Sequence, residues 1–245
     1  MERWVTAEPQ VITVIGSGGK TSLIWLLARY WRQRKTLVTP TTRMFFPPPE
    51  TGLYDRLLTG ESFWPPAAGI SLAGMRDPVS GKYGALPPEL LESLVPGYDR
   101  VLIEGDGSRR LPLKAWATYE PVVPVYTTLT VGILPLWPVG RVVSDDLIHR
   151  LPLFSALTGA APGATLTLQH LVSVITGKPE EHHRGLFSEA RGTKILFLNQ
   201  IEDSPGFKSA EQLCSLLPSS FLENLQGILA GSVQQNRVSL WWDSL

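Results

Sequence analysis

Residues 11–15, 101–104 and 194–198 are short apolar runs that do not alternate with polar residues. A strand solvated on one face alternates, whereas a strand covered on both faces does not. Each run therefore predicts a buried strand of a parallel sheet. After the first run, Leu23, Leu26, Leu27, Tyr30 and Trp31 recur at i, i+3, i+4, i+7 and i+8, the apolar stripe of a helix. Arg29, Arg32 and Arg34 fall mostly off that stripe. Residues 36–39 predict a second strand. Strand, helix, strand in this order is a βαβ unit, which needs a parallel pair and a right-handed crossover.

Downstream, Pro47-Pro48-Pro49 and Pro65-Pro66 mark loops. A hairpin is expected between residues 69–73 and 83–85, turning at Ser80-Gly81. Residues 87–94 predict a brief helix with proline in its first turn. Residues 129–133 predict a strand. Residues 144–157 predict a helix capped by Ser144, and residues 167–175 another. A strand at 194–198, a helix at 209–217 and a last strand at 227–230 complete the pattern. The expected fold class is α/β, a doubly wound, mostly parallel sheet in one domain over residues 1–245.

Composition narrows the class of partner. Twenty-two basic residues balance 22 acidic ones, so nothing favours broad attraction to nucleic acid or to an anionic membrane. The single cysteine, Cys214, cannot form an internal disulfide. There is no signal-like hydrophobic core at the start, and no apolar run of membrane-spanning length. A cytoplasmic location is the default expectation. The histidines 149, 170, 182 and 183 lack metal-ligand spacing. Glu181-His182-His183-Arg184 reads as solvated, while His149-Arg150 leaves an active-site role open. The tryptophans, Trp241-Trp242 among them, read as packing anchors.

The chemistry concentrates after the first strand, at Gly16-Ser17-Gly18-Gly19-Lys20-Thr21-Ser22. Glycines let backbone N–H groups turn inward onto phosphate oxygens, and a helix N-terminus adds the positive end of its dipole. Lys20 supplies a mobile charge for outer phosphates, and Thr21 a hydroxyl for Mg²⁺. The longer G-x-x-x-x-G-K-[ST] pattern would need glycine where Val14 stands. The shorter form G-[ST]-x-G-K-[ST] resembles the phosphate loop of Mur ligases, a P-loop NTPase-like arrangement. The expected ligand is ATP or GTP with Mg²⁺.

The strand at 101–104 ends in Glu104, followed by Gly105-Asp106-Gly107-Ser108-Arg109-Arg110. In parallel sheets, ligands sit beyond the carboxyl ends of strands. Glu104 is the metal-side candidate with Thr21. Asp106 is expected to share that task or face the substrate, or to be an ordinary turn residue. Of Arg109, Arg110 and Lys114, one is a candidate to neutralise charge on a transferred phosphoryl group. The alternative is solvated surface. Thr39, Thr41 and Thr42 end the second strand, as phosphate-side hydroxyls or as turn residues. Asn199-Gln200-Ile201-Glu202 ends a late strand and resembles the N-K-x-D element of GTP-binding proteins, with Gln200 for lysine and Glu202 for aspartate. Asn199 and Gln200 are therefore candidates for the nucleobase, with no choice between guanine and adenine.

Taken in order, Gly16–Thr21, Leu37-Val-Thr-Pro-Thr-Thr-Arg43, Glu104-Gly-Asp-Gly-Ser-Arg109, Leu111-Pro-Leu-Lys114, Glu120-Pro-Val-Val-Pro124, His149-Arg150 and Leu198-Asn-Gln200 resemble the YqeC family. The glutamate-x-aspartate-glycine-serine-arginine element is the most distinctive. Pro40 departs from the family's threonine run and removes one N–H and one hydroxyl there. The resemblance implies an accessory role in maturing selenium-dependent molybdenum hydroxylases. It also implies a molybdenum hydroxylase or cofactor-maturation enzyme as partner. Two other readings stay open: a nucleotide-gated binding protein without turnover of its own, and a small-molecule kinase.

Overall fold

The computed structural model describes residues 10–59, 66–78, 81–178 and 183–243, with side chains given up to residue 239. Pro65, Ser80, Glu181, His182 and the side chains of Trp241 and Trp242 lie outside these. In chain order the first elements are β1 (Gln10–Gly16), α1 (Lys20–Tyr30), β2 (Lys35–Pro40), β3 (Arg43–Met44), β4 (Arg56–Leu58), β5 (Gly69–Ala73), β6 (Met75–Arg76), β7 (Tyr83–Gly84), α2 (Pro88–Leu94) and β8 (Arg100–Glu104). There follow β9 (Leu113–Lys114), β10 (Leu129–Pro135), β11 (Ile148–His149), α3 (Leu151–Thr158), α4 (Leu168–Thr176), β12 (Thr193–Asn199), α5 (Ser204–Leu216), α6 (Ser219–Leu222), β13 (Gly227–Ser232) and β14 (Arg237–Asp243).

Nine strands form one sheet in the order β14-β13-β12-β10-β1-β8-β2-β5-β4. Every pairing in it is parallel except β13 with β14. The apolar runs are buried on both faces, and their alternation assigns the faces. Ile12, Val14, Val131, Ile133, Ile195 and Phe197 pack with Leu23, Ile24 and Leu27 of α1 and with Trp31 just past its end. On the opposite face Ile15, Leu134, Leu196 and Leu198 pack with Phe154, Leu171, Val174, Ala210 and Leu213 of α3, α4 and α5. Val11, Leu37, Val101 and Ile103 pack there with Leu91 of α2.

Chain connectivity locates a crevice. From β1 the chain enters α1 on one face. From its neighbour β10 it runs on to α3 on the other. Adjacent strands whose continuations part in this way leave an opening beyond their carboxyl ends, where ligands of parallel sheets collect.

Three expectations need correction. Residues 69–73 do not form a hairpin with 83–85. β5 is wholly buried and pairs in parallel with β2, while β7 pairs antiparallel with β3 and β6. The helix expected over 144–157 begins only at Leu151. A proline at position 152 is tolerated in a first turn and not in a helix interior. Ser144 instead accepts the N–H groups of Leu147 and Ile148 in a turn, and Ile148–His149 pairs with Leu113–Lys114. Finally, α5 starts at Ser204, with Asp203 capping the Gly206 N–H at 2.8 Å. Pro205 and Gly206 disguise that first turn in the sequence. By contrast, the helix expected over 167–175 forms as α4, and Thr167 and His170 make a capping box at its start. His170 is spent on that cap.

Candidate functional site

The loop after β1 is made by three glycines with positive φ, Gly16 (103°), Gly18 (73°) and Gly19 (133°). Backbone angle is only half the reason. A Cβ on Gly16 would lie 2.2 Å from the Ile133 carbonyl oxygen, and one on Gly18 2.4 Å from the Pro135 ring. One on Gly19 would lie 2.2 Å from Asn199 Nδ2. The loop is thus pressed against the ends of β10 and β12, with the Ser17 N–H on the Ile133 carbonyl at 3.0 Å. Gly19→Ala is expected to cost roughly 1–3 kcal/mol through its forced φ and this contact. Urea denaturation against wild type measures it, and an unchanged midpoint would show the loop to be looser than described.

Asn199 ties the same loop from the side. Its Nδ2 donates to the Gly18 carbonyl at 2.7 Å and its Oδ1 accepts the Val233 N–H at 3.0 Å. Next to it Gln200, with φ 61°, is exposed and accepts from the Trp137 indole N–H at 2.8 Å.

Beneath the loop lies a buried ionic network. Asp106 is fully buried and both its oxygens accept the Gly16 N–H at 3.1 Å. It also accepts from Trp116 Nε1 at 2.7 Å and Lys114 Nζ at 3.0 Å, and lies 3.3 Å from Lys20 Nζ. Burial pushes its carboxyl up. Lys114, Lys20, the Trp116 indole and the Gly16 amide together outweigh this and hold it below the usual aspartate range. Lys114 has no exposed surface and donates to Asp106, to the Gly107 carbonyl at 2.6 Å and to Glu120 at 2.9 Å. Glu120 accepts in turn from Arg150 at 2.6 Å. Asp106 and Lys114 therefore do not face a ligand, which corrects both expectations. An ammonium has three donors, and all three of Lys114's are spent inside the protein.

Above the loop the remaining candidates converge. β8 pairs Glu104 with Val14 of β1 and Pro40 of β2, which sets its side chain beside α1. The Thr21 hydroxyl donates to Glu104 Oε2 at 2.7 Å. Burial pushes the Glu104 carboxyl up, more than Lys20 and Thr21 draw it down. Lys20 folds back over the loop, donating to the Gly16 carbonyl at 2.6 Å. Thr41 is spent elsewhere, donating to the Val122 carbonyl at 2.7 Å. The Ser17, Thr39 and Thr42 hydroxyls are buried with no partner among the described residues.

These groups open on a cavity of about 530 Å³. Gly18 to Ser22 and Glu104 form one wall, and residues 43–45, Lys82 and 107–112 the other. Five cationic side chains line it, Lys20, Arg43, Lys82, Arg109 and Arg110, against one carboxylate, Glu104. The N-terminus of α1, which no side chain caps, adds to the positive field. A second cavity of about 540 Å³ shares Trp137 and Gln200 with the first and is also lined by Glu202 and Asp203. The arrangement is chemically suited to an anion with an organic appendage. His149 does not line the first cavity. Burial, then the charges of Arg150, Lys114 and Arg109, push its imidazole down to about 4. It is uncharged at neutral pH.

Sequence reasoning passed over Trp137, Phe45, Lys82 and Trp116. It also gave no role to Glu120, and the active-site role it left open for Arg150 is instead an ion pair with Glu120 beneath the loop. A lysine two residues before a tryptophan on a short apolar stretch was the available signal for a buried charge.

Among the described residues, no helix is long and apolar enough to cross a membrane. No solved structure matches the chain. The protein called Uncharacterized protein YqeC of Escherichia coli (strain K12) is 30% identical over 249 aligned residues, covering 93% of this chain and 89% of that one. The family described as YqeC protein matches residues 12–152, a span that runs from β1 through the glycine loop, Glu104 and the buried network to just past Arg150. The whole of that ionic frame falls inside the matched region, and on these two matches the chain belongs to the YqeC family.

Proposed function

We propose that this protein binds a nucleoside triphosphate with Mg²⁺ at residues 16–22 and hydrolyses it in service of another enzyme's maturation. One observation carries the reading. A threonine hydroxyl, at the first turn of a helix that follows a glycine loop, bonds at 2.7 Å to the carboxylate ending the neighbouring parallel strand. Lys20 stands at the same turn, within the cavity. A hydroxyl and one carboxylate suit Mg²⁺, which keeps several waters and takes phosphate oxygens rather than a full set of protein ligands. Thr21 and Glu104 would hold the metal, which supplies charge neutralisation at the outer phosphates. Lys20 would exchange its loop carbonyl for phosphate oxygens.

The base end would lie toward Trp137 and Gln200, where the second cavity begins. Asn199, bonded at both ends of its amide, serves this reading by fixing the loop. The maturation role, in service of selenium-dependent molybdenum hydroxylases, rests on the family resemblance. A molybdenum hydroxylase or a cofactor-maturation enzyme is its partner.

Calorimetric titration with ATP, GTP and inorganic triphosphate, with and without Mg²⁺, tests the proposal, alongside a phosphate-release assay. Glu104→Gln separates function from fold. The amide can still accept the Thr21 hydroxyl and removes a buried negative charge, so the ligand-free variant melts no lower than wild type. Its nucleotide affinity loses most of its dependence on Mg²⁺. Absence of binding by all three ligands to the wild type would overturn the reading.

A further inference from the structure

The cationic side chains that line the cavity are spread unevenly over its lining. The loop wall contributes Lys20 and Glu104. The facing wall contributes Arg43, Lys82, Arg109 and Arg110, and among the described residues no carboxylate lines it. Arg43 is drawn partly outward, 3.8 Å from Asp77. Arg109 and Arg110 make no ion pair among the described residues. Lys82 and Arg110, from separate segments of chain, each stand 4.8 Å from the centroid of the half-exposed Phe45 ring. The ring attracts both, and so gathers like charges that would otherwise repel.

The backbone carries a second sign. Arg109 and Arg110 are consecutive and both left-handed, with φ of 52° and 64°. Non-glycine residues in this region are strained, and such strain gathers where a ligand is held. A turn closed by the Leu111 N–H on the Ser108 carbonyl at 2.9 Å keeps them there.

Resting on the triphosphate reading, we propose that the facing wall binds a second ligand beside the nucleotide, a small molecule bearing phosphate or carboxylate groups. Arg110 and Lys82 grip its oxyanions, and Phe45 packs against its apolar part. Guanidinium groups suit both kinds of oxyanion, since they donate in parallel pairs. The nucleotide and this second ligand would then share one cavity.

The test uses the full chain saturated with Mg²⁺ and β,γ-imido-ATP, titrated calorimetrically with inorganic phosphate in one arm and tricarballylate in the other. The expected result is binding of one further equivalent in at least one arm, which identifies the oxyanion, while the nucleotide analogue stays bound. The double variant Arg110→Asn with Lys82→Ser, in which asparagine tolerates the left-handed backbone, is expected to weaken that binding at least tenfold. Its affinity for the analogue should move by less than threefold. Displacement of the analogue by the anion, no binding in either arm, or equal losses for anion and analogue would each overturn the proposal. If the analogue fails to bind the wild type, the triphosphate reading falls by itself. The anion arms on ligand-free protein, wild type against double variant, then decide the second site alone.

Discussion

Lys20→Ala is expected to weaken binding of Mg²⁺-ATP and Mg²⁺-GTP by roughly 100-fold or more, since an ammonium on two phosphate oxygens makes charge-assisted bonds worth several kcal/mol. In the ligand-free protein the ammonium sits on the Gly16 carbonyl at 2.6 Å and near Asp106 at 3.3 Å. It is nonetheless a lining group of the cavity, so a short swing delivers it to a ligand. The fold survives its loss. Asp106 keeps Lys114, Trp116 and the Gly16 N–H as partners. The variant should therefore stay folded, with a urea midpoint lowered less than a Lys114 variant's, and with most of its affinity gone. Calorimetry reads the second quantity and denaturation the first. Full affinity in a folded variant would leave the glycine loop without a phosphate to hold.

The elements of this site that sequence reveals are those whose physics is local. A continuous apolar run, a glycine turn and a 3.6-residue stripe are neighbours in the chain, and the strand–loop–helix around Lys20 follows from them. Glu104 was also legible, because a carboxylate that ends a buried strand must lie at the sheet's carboxyl edge. Its 2.7 Å bond from Thr21 then needs only that β8 lie beside β1. The roles of Asp106 and Lys114 were not legible. An acid between glycines and a lysine near two arginines look solvated, and only the return of the chain through Glu120 and Arg150 makes them a buried frame. The wall of Phe45, Lys82 and Arg110 was hidden for the same reason. It joins three separate segments across a mouth that no periodicity describes. The misplaced hairpin is a related failure, since residues 69–73 have a partner strand in β2, more than thirty positions upstream.

Lys114→Met should produce the largest loss of stability, about 3–5 kcal/mol, because it strips a buried pair of its cation and leaves the acids behind. Methionine nearly fills the lysine volume, so the loss reports charge and hydrogen bonding more than a cavity. Asp106 would retain Lys20 at 3.3 Å, and Glu120 would retain Arg150 at 2.6 Å. The two carboxylates would no longer share the ammonium bonded to both. For a chain of this length the expected fall in melting temperature is on the order of 10 °C. The effect carries a pH signature whose direction is fixed. Both acids are held below their ordinary values of 3.8 and 4.5, against burial that pushes them up, with Lys114 prominent among the causes for each. Groups depressed in this way stabilise the folded state above their unfolded values, and the benefit vanishes as pH falls through the folded ones. The gap between wild type and variant should thus be full at pH 7 and narrow below about pH 4, where wild type loses its advantage and the variant's acids take up protons. Adding Asp106→Asn to Lys114→Met should recover part of the loss, because the amide oxygen can still accept the Gly16 N–H without a stranded charge. Nucleotide affinity should recover with it, since that bond sets the loop. A loss under about 1 kcal/mol for Lys114→Met, or strict additivity with Asp106→Asn, would show that these residues stabilise the protein independently and that the loop is not held from below.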